Sequence, residues 1–216
     1  MKREEAETML KVSLESEKNE RARIAADLHD GVSGDLSAIK NYLNILSKKE
    51  TSPANLEMFN EIKGGIDAAL QNTRSVSHNL MPPLLEAEGL IPALKGYFES
   101  ISKAGINFTI TAENITLPSS VSYQLFRVLQ EFTTNMIKYG HVTNVRLNST
   151  SQKDIFKIEI IDDGISFNFK ENLAKPNASG LKNINSRLHV VGGVVVQQEV
   201  AKGNHFIITL KNVKDA

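Results

Sequence analysis

The pair His29-Asp30 combines an imidazole with a carboxylate inside a stretch whose apolar spacing predicts a helix. The neighbouring Leu28 belongs to the apolar stripe of that helix, so the imidazole is expected to project toward its surface. Gly31 and Gly34 follow within the same helix, and each costs about 1 kcal/mol relative to alanine. A helix that tolerates this cost beside an exposed histidine favours a functional imidazole, with an incidental surface histidine as the alternative.

A second group of polar residues occupies one face of a later predicted helix. Glu131, Asn135 and Lys138 stand at positions i, i+4 and i+7, which places them on the same side of that helix. A carboxylate, an amide oxygen and an ammonium group together suit a polyphosphate bound with Mg²⁺. The simpler alternative is a solvated polar helix face.

Two further positions could contact the same kind of ligand. Asp162 ends a predicted buried strand shortly before Gly164, and such a carboxylate can accept a hydrogen bond from an exocyclic amine. Gly180-Leu181 opens a predicted helix, whose free N–H groups suit an anion. Each signal is weak alone, because Asp-Asp-Gly is also common in ordinary turns.

Composition excludes several other functions. The 216 residues carry 25 basic and 25 acidic side chains, and this balance argues against broad binding to nucleic acid or anionic membranes. The absence of cysteine excludes disulfides, thiolate zinc sites and a cysteine nucleophile. The histidines do not pair at metal-ligand spacing, and no Walker or dinucleotide-binding motif occurs. Since no signal peptide or membrane-spanning run is found either, we expect a cytoplasmic chain.

The first half of the chain reads as long helices. A charge-dense stretch up to Arg23 predicts an exposed helix with heptad-spaced apolar residues, which favours a coiled-coil entry into a dimer over a solvated lone helix. The helical pattern runs on to Leu46, breaks before Pro53, and resumes from Leu56 to Leu80. A helical hairpin of this kind cannot cover its own apolar stripe, whereas two copies can do so as a four-helix bundle.

The second half mixes helices with strands and predicts an α+β domain. The predicted helices are Gly89–Ser102, Val121–Tyr139 and Leu181–Val191, and a loop spans Gly164–Gly180. The predicted strands are Ile106–Ala112, Val145–Ser149, Ile155–Ile161, Val194–Val200 and His205–Leu210.

The order of these motifs resembles that of the two-component sensor histidine kinases, and in particular the subfamily of the nitrate and membrane-fluidity sensors. The resemblance covers about residues 20–211, and its specific parts are Glu20–Leu36, Gln130–Tyr139 and Asp162–Phe167. It implies a dimeric four-helix bundle built from one hairpin per chain, followed by a Bergerat-type α/β-sandwich ATP-binding domain. We therefore predict a dimerisation and phosphotransfer region at 1–82 and a catalytic ATP-binding domain at 83–216.

The resemblance also implies roles for the residues of the helical part. His29 would accept the phosphoryl group, and Asp30 would orient the ring and take a proton. Adjacent residues of an α-helix do not face each other, so we expect Asp30 to reach the imidazole only in a suitable rotamer.

In the ATP-binding part, the implied roles concern the nucleotide and its metal. Asn135 would hold Mg²⁺ with Glu131 nearby, Lys138 and Tyr139 would face the phosphates, and Asp162 would read the adenine amine. Gly164 would allow the turn beneath the base, and residues 166–180 would form a lid over ATP. Gly180, together with Leu181, would close that lid.

Four positions depart from the family pattern. Ser166 and Ala178 stand where the nucleotide-binding motifs have glycine, and Asn204 replaces a usual threonine. Gly34 replaces a glutamine that, in kinases of this type, positions water for dephosphorylation of the partner.

The resulting prediction is a homodimeric histidine kinase core that uses Mg-ATP to phosphorylate His29 and then an aspartate of a response-regulator receiver domain. The alternatives are a degenerate ATP-binding scaffold and, from another class, an ATPase of the gyrase–chaperone type. We expect no nucleic-acid partner, and any membrane association only through a sensor region missing at the N-terminus. The chain is thus expected in the cytoplasm, alone or as the cytoplasmic part of a membrane-bound sensor.

Overall fold

The computed structural model describes residues 2–102, 105–113 and 115–211, and their contacts divide the chain into two compact units. Glu15–Pro82 form a helical unit. The described residues up to Leu14 and those from Pro83 onward form the second unit, which contains the sheet.

Three long helices dominate the N-terminal part of the chain. They are α1 (Lys2–Ala26), α2 (Ser33–Ser47) and α3 (Pro53–Leu80), and a π-helical turn, Asp27–Val32, joins α1 to α2. The residues that flank this turn keep right-handed helical backbone angles, so α1 runs into α2 without a break. The expected continuous helix is therefore present, but around His29 each turn holds about one residue more than an α-helical turn.

The helices α2 and α3 form the predicted hairpin. Pro53 begins α3, where its fixed φ suits the first turn and its missing N–H is not needed. The carboxylate of Glu50 accepts the backbone N–H groups of Thr51 and Ser52 at 2.8 Å, and this closes the connecting loop. Lys40 Nζ on α2 lies 2.5 Å from Asp67 Oδ1 on α3 and links the two helices.

Much of the hairpin's apolar stripe remains exposed in the single chain. Ile66 and Leu70 are buried, but Tyr42 is 68% exposed. The other exposed apolar side chains of this unit are Val32, Ile39, Ile45, Leu46, Met58, Ile62 and Val76. Contiguous apolar surface of this kind marks a site of protein association.

The second unit adds five further helices and the strands. The helices are α4 (Pro83–Ala87), α5 (Leu90–Ser102), α6 (Ser119–Asn135), α7 (Phe169–Leu173) and α8 (Ser179–Val190). The strands are β1 (Asn107–Ala112), β2 (Asn144–Gln152), β3 (Ile155–Asp162), β4 (Gly193–Gln198) and β5 (Asn204–Lys211). A second π-helical turn, Met136–Gly140, follows α6.

The strands form one mixed sheet in the order β1-β2-β3-β5-β4. The β1–β2 pair is parallel and the other pairs are antiparallel. Alternate residues of β3 and β5 are buried, as expected for a sheet with one covered face. The covering layer is helical: Phe98 of α5 stacks on Phe108 of β1 at 4.5 Å between ring centroids, and Phe132 of α6 lies 4.8 Å from Phe206 of β5.

The sequence predicted most of these elements, but besides the first π turn it missed features of α6, α7 and α4. α6 gives way to a π turn at Met136 instead of continuing to Tyr139, and α7 interrupts the predicted loop Gly164–Gly180. α4 was not predicted, because its five residues, which begin at Pro83, are too few for a periodic pattern. Within the described residues, no helix combines the length and hydropathy needed to span a bilayer.

Candidate active site

His29 lies in the π turn between α1 and α2 with its side chain 59% exposed. Its Nδ1 is 2.9 Å from Asp30 Oδ1, and the Asp30 side chain is 81% exposed. The sequence predicted that Asp30 would reach the imidazole only in a suitable rotamer, because adjacent residues of an α-helix do not face each other. A π turn holds more residues than an α turn, so consecutive side chains diverge by a smaller angle.

The pairing with Asp30 has a chemical consequence for the ring. A neutral imidazole that donates its Nδ1–H to a carboxylate keeps an unprotonated Nε2 with a free lone pair. The arrangement therefore presents Nε2 as a nucleophile and provides a carboxylate that can take the Nδ1 proton.

A cavity of about 520 Å³ lies in the α/β unit, beneath the segment between β3 and α8. Of the residues singled out from the sequence, Glu131, Asn135, Lys138, Tyr139, Asp162, Gly180 and Leu181 line it. Apolar walls are supplied by Phe132, Met136, Ile165, Phe167 and Phe206. The cavity thus has both apolar and polar lining residues, a combination that suits a nucleotide.

Asp162 is the buried carboxylate of this cavity, with only 4% of its surface exposed. Its Oδ1 accepts the Gly164 N–H at 2.9 Å and the Asn204 Nδ2–H at 3.1 Å. Its Oδ2 is buried and has no hydrogen-bond partner among the described residues. Burial raises the pKa of this carboxyl, while the hydrogen bonds from Gly164 and Asn204 oppose that rise. An unpaired buried acceptor is costly, so the site is suited to a ligand that brings an N–H donor.

Gly164 does not line the cavity but lies directly behind Asp162. A Cβ at this position would collide with the Gly140 carbonyl oxygen and the Val142 side chain, and would approach Asp162 Oδ1 to 3.1 Å. The Ile165 N–H donates to the same Gly140 carbonyl at 2.7 Å. Only glycine permits this close approach, which holds the cavity floor against the end of the second π turn.

Asp163, the neighbour of Asp162, stabilises the backbone at the floor of the cavity through hydrogen bonds on the side away from the cavity. Its carboxylate accepts the hydroxyl of Thr143 at 2.6 Å and the side-chain amide of Asn144 at 2.8 Å. It also accepts the backbone N–H groups of both residues at 2.9 Å. These hydrogen bonds, led by that of the Thr143 hydroxyl, hold the pKa of Asp163 well below its usual range. Asp163 therefore has a structural role, whereas Asp162 faces the cavity.

Asn204, which the sequence marked only as a departure from the family pattern, contacts Asp162 directly. Its Nδ2 donates to Asp162 Oδ1 and to the Ile165 carbonyl at 3.0 Å, and its Oδ1 accepts the Phe167 N–H at 3.1 Å. Gln197 continues the network by donating to the Phe167 carbonyl at 2.6 Å and accepting the Phe169 N–H at 2.8 Å. These amides orient Asp162 and anchor the first residues of the predicted lid. The contacts join strands that are distant in sequence, so spacing alone could not reveal them.

Replacing Asn204 with leucine should weaken ATP binding by about tenfold, because it leaves the Phe167 N–H and Ile165 carbonyl unpaired and frees Asp162 to rotate. Titration calorimetry with ATP measures the change. Asn185→Leu on the exposed surface of α8 is the matched control and should bind like the unaltered protein. Equal affinities for the Asn204 and Asn185 variants would show that the amide network does not orient Asp162.

Ser166 also departs from the family pattern, and the structure accommodates it. Its hydroxyl donates to the Gly203 carbonyl at 2.6 Å, and its side chain does not line the cavity. The substitution therefore tethers the base of the predicted lid without filling the space for a ligand.

The start of α8 lies against the polar face of α6. A Cβ on Gly180 would collide with the carboxylate of Glu131 and would lie 3.4 Å from Asn135 Nδ2. The N-cap residue of this helix, Ala178, makes no side-chain hydrogen bond to its first N–H groups. The residues predicted for a metal and those predicted for an anion are therefore neighbours, as a metal–phosphate ligand requires.

In the described part of the chain, no three acidic, histidine or cysteine side chains cluster closely enough to hold a metal by themselves. Mg²⁺ keeps several waters and is commonly bound through one or two protein oxygens together with substrate phosphates. The Glu131–Asn135 pair fits that mode of binding.

Comparison with known proteins finds histidine kinases among the proteins similar to this chain. Residues 20–85, which include His29, match the family model described as "Histidine kinase". The oxygen sensor histidine kinase NreB of Staphylococcus carnosus (strain TM300) is 25% identical over 207 residues, which cover 94% of this chain and 59% of that protein. The chain thus spans about three-fifths of the length of this curated relative.

Solved structures share the fold. The histidine kinase domain of the Erythrobacter litoralis EL346 blue-light activated histidine kinase superposes with a TM-score of 0.54 at 12% identity, covering 83% of this chain and 94% of that one. The longer structure of the same kinase gives a TM-score of 0.54 at 11% identity, with 85% and 60% of the two chains covered.

Proposed function

We propose that this chain, a sensor histidine kinase by its family match and its relatives, phosphorylates His29 from Mg-ATP and passes the phosphoryl group to a response regulator. The observation that carries the proposal is the exposed His29–Asp30 pair, whose 2.9 Å contact leaves Nε2 free as a nucleophile. The cavity around Asp162 supplies the site for the nucleotide.

The adenine end of the cavity is assigned from the unpaired acceptor Asp162 Oδ2. Asp162 Oδ2 would accept the exocyclic amine of adenine, while the Gly164 and Asn204 donors keep Oδ1 turned away. Phe167 and Met136 would cover the faces of the base. As an acceptor, Oδ2 favours a purine with an amine at this carbon over one with a carbonyl oxygen there.

The phosphate end is assigned to α8 and the second π turn. The N–H groups of Gly180 and Leu181 would donate to phosphate oxygens, and Lys138 would neutralise part of their charge. Tyr139, on the same turn, would add a hydroxyl donor. Mg²⁺, held by Asn135 with Glu131 nearby, would supply further neutralisation of the phosphates.

The chemical step at His29 follows from the tautomer set by Asp30. Nε2 attacks the γ-phosphorus, a P–N bond forms, and the bond from the γ-phosphorus to the bridging oxygen breaks with release of ADP. The ring becomes positively charged in this step, and Asp30 takes the Nδ1 proton. The phosphoryl group then passes from Nε2 to an aspartate carboxylate of a receiver domain, which the exposure of His29 leaves room to approach.

The exposed apolar stripe of the hairpin supports a homodimer. Val32, Ile39 and Leu46 on one helical run, with Ile62 and Val76 on α3, are all more than 40% exposed in a single chain. Packing two hairpins would bury this stripe in a four-helix bundle, at about 25 cal/mol per Å² of apolar surface. Because ATP and receiver domains are cytoplasmic, we place the chain in the cytoplasm, alone or as the cytoplasmic part of a membrane-bound sensor.

Incubation with γ-labelled ATP tests this proposal against the two alternatives. A kinase acquires a protein-bound label that is lost in acid, since a phosphoramidate P–N bond is acid-labile. A degenerate scaffold binds ATP and acquires no label, and an ATPase of the gyrase–chaperone type releases labelled phosphate. Either of the last two results would contradict the proposed function.

The phosphatase reaction expected of this kind of kinase should be weak here. Gly34 lies one turn beyond Asp30 and provides no amide to position a water molecule, and misplacement of about 1 Å can cost about 100-fold in rate. A Cβ at Gly34 meets no atom within 4 Å, so a longer side chain has space. Gly34→Gln should therefore gain phosphatase activity toward a phosphorylated regulator and keep most of its autophosphorylation.

The alternative role for Gly34 is to soften the helix so that it can bend. On that interpretation Gly34→Gln loses autophosphorylation and gains no phosphatase activity, and Gly34→Ala loses autophosphorylation as well. Loss of label from regulator incubated with each variant, without ATP, gives the phosphatase rate. Rapid dephosphorylation by the unaltered protein would refute the prediction.

A further inference from the structure

A buried hydrogen bond joins α3 to the end of α1, just before the π turn that carries His29. Ser77 Oγ on α3 donates to the carbonyl of Ala25, two residues before the turn begins, at 2.9 Å. Ala25 is 6% exposed and Ser77 is 5% exposed, so the bond is shielded from water. Both side chains are small, which lets the two helices approach closely here.

The contact between His29 and Asp30 depends on this local backbone. In a regular α-helix, neighbouring residues point in directions about 100° apart and do not face each other. In the π turn Asp27–Val32, the wider spiral reduces that divergence, and Nδ1 and Oδ1 come to 2.9 Å. Conversion of the turn to α-helix would rotate the two side chains apart.

A π turn is rare and needs support from its surroundings. Side chains inserted at the helical hydrogen-bond ladder are a recognised cause of such local departures from α geometry. Here two hydroxyls donate to carbonyls near the start of the turn: Ser77 Oγ to that of Ala25, and Ser33 Oγ to that of Leu28, 3.3 Å away. Ser33 belongs to the same helical run, whereas Ser77 reaches across from α3 and so fixes the turn relative to the hairpin.

We propose that Ser77 is a positioning residue for the phosphoacceptor: its hydrogen bond to Ala25 stabilises the π turn that places Asp30 on His29 Nδ1. The proposal rests on the proposed function of His29. It also implies that α3 influences the reactivity of His29, because any shift of α3 relative to α1 acts on this one bond.

Ser77→Ala tests the proposal, since it removes the hydroxyl and keeps a small helix-forming residue. The rate of His29 phosphorylation at saturating ATP should fall by about tenfold, within the range expected for a displaced reacting group. The dissociation constant for ATP should stay unchanged, because Asp162 and its partners lie in the other unit. Ser77→Thr retains the hydroxyl and should retain most of the rate.

The ring tautomer of His29 provides a readout that a purely structural role of Ser77 would not change. In protein labelled with ¹⁵N-histidine, two-bond nitrogen–proton correlations should show the Nδ1–H form of His29 in the unaltered protein. Ser77→Ala and Asp30→Asn should both lower the fraction of that form. Thr73→Ala is the matched control, because among the described residues the Thr73 hydroxyl bonds only to Ala69 of its own helix, at 2.9 Å.

Two results would overturn the proposal: a Ser77→Ala protein with unchanged rate and tautomer, or equal losses in the Ser77 and Thr73 variants. These results are separate from failure of the proposed function, which would appear as absence of label in the unaltered protein. The tautomer measurement decides the role of Ser77 in that case as well.

Discussion

Replacing His29 with glutamine should abolish protein-bound phosphate and leave ATP binding and dimerisation intact. The imidazole is the only part of the His29–Asp30 pair that offers a nucleophilic nitrogen, and glutamine has none. With 59% of its side chain exposed, His29 contributes little to packing, so the substitution should not unfold the helix. Labelling with γ-labelled ATP, titration with ATP and light scattering measure the three properties.

His78 is the matched control for this experiment. It is an exposed histidine near the end of α3, next to Ser77 but outside the π turn. His78→Gln should label like the unaltered protein. Label that persists in His29→Gln and disappears in His78→Gln would show that the wrong histidine was assigned.

Replacing Asp162 with asparagine should lower the affinity for ATP by about 10- to 100-fold, the range for a buried polar group without a partner. The direction of the new amide is fixed by its neighbours. Because Gly164 N–H and Asn204 Nδ2–H both point at Oδ1, the remaining carbonyl oxygen must take that position, and the new NH₂ must take the place of Oδ2. A donor would then face the adenine amine, which is also a donor.

The same geometry predicts a change of base preference. Inosine triphosphate carries a carbonyl oxygen in place of the adenine amine, so Asp162→Asn should bind it more tightly than the unaltered protein does. Titration of both nucleotides against both proteins gives the full comparison. Asp154→Asn, in the turn between β2 and β3, is the control. Equal ATP affinities for unaltered protein and Asp162→Asn would contradict the adenine assignment.

The architecture was largely predictable, because hydrophobic periodicity indicates where most helices and strands lie. The stripe from Leu56 to Leu80 predicted α3, and alternation in Ile155–Ile161 predicted β3, each to within a few residues. Residues at helical spacing, such as Glu131 and Asn135, could be placed together from the sequence because a helix fixes their relation locally. Only the family resemblance predicted that Asp162 and Gly180 share a site with these residues, because that contact depends on the folding of distant parts of the chain.

The details that periodicity could not supply are those of backbone register and long-range hydrogen bonds. Both π turns, at His29 and after Asn135, look like ordinary helix in the sequence, because one added residue barely alters an apolar pattern. On the α-helical geometry that the sequence predicted, Asp30 would not face His29, whereas in the π turn it does. Ser77 carries no signal of its own, and its role depends on a contact with Ala25 from another helix.

The central claim is that Mg-ATP phosphorylates His29 on the nitrogen that Asp30 leaves free. Direct detection of the modified ring tests it most closely, by ³¹P and ¹⁵N NMR of the ¹⁵N-histidine-labelled protein kept at neutral or alkaline pH after incubation with Mg-ATP. We expect phosphorus coupled to Nε2 of His29 and none on Nδ1, whose proton Asp30 has taken. Phosphorus on Nδ1, on another histidine or on no histidine would contradict this account.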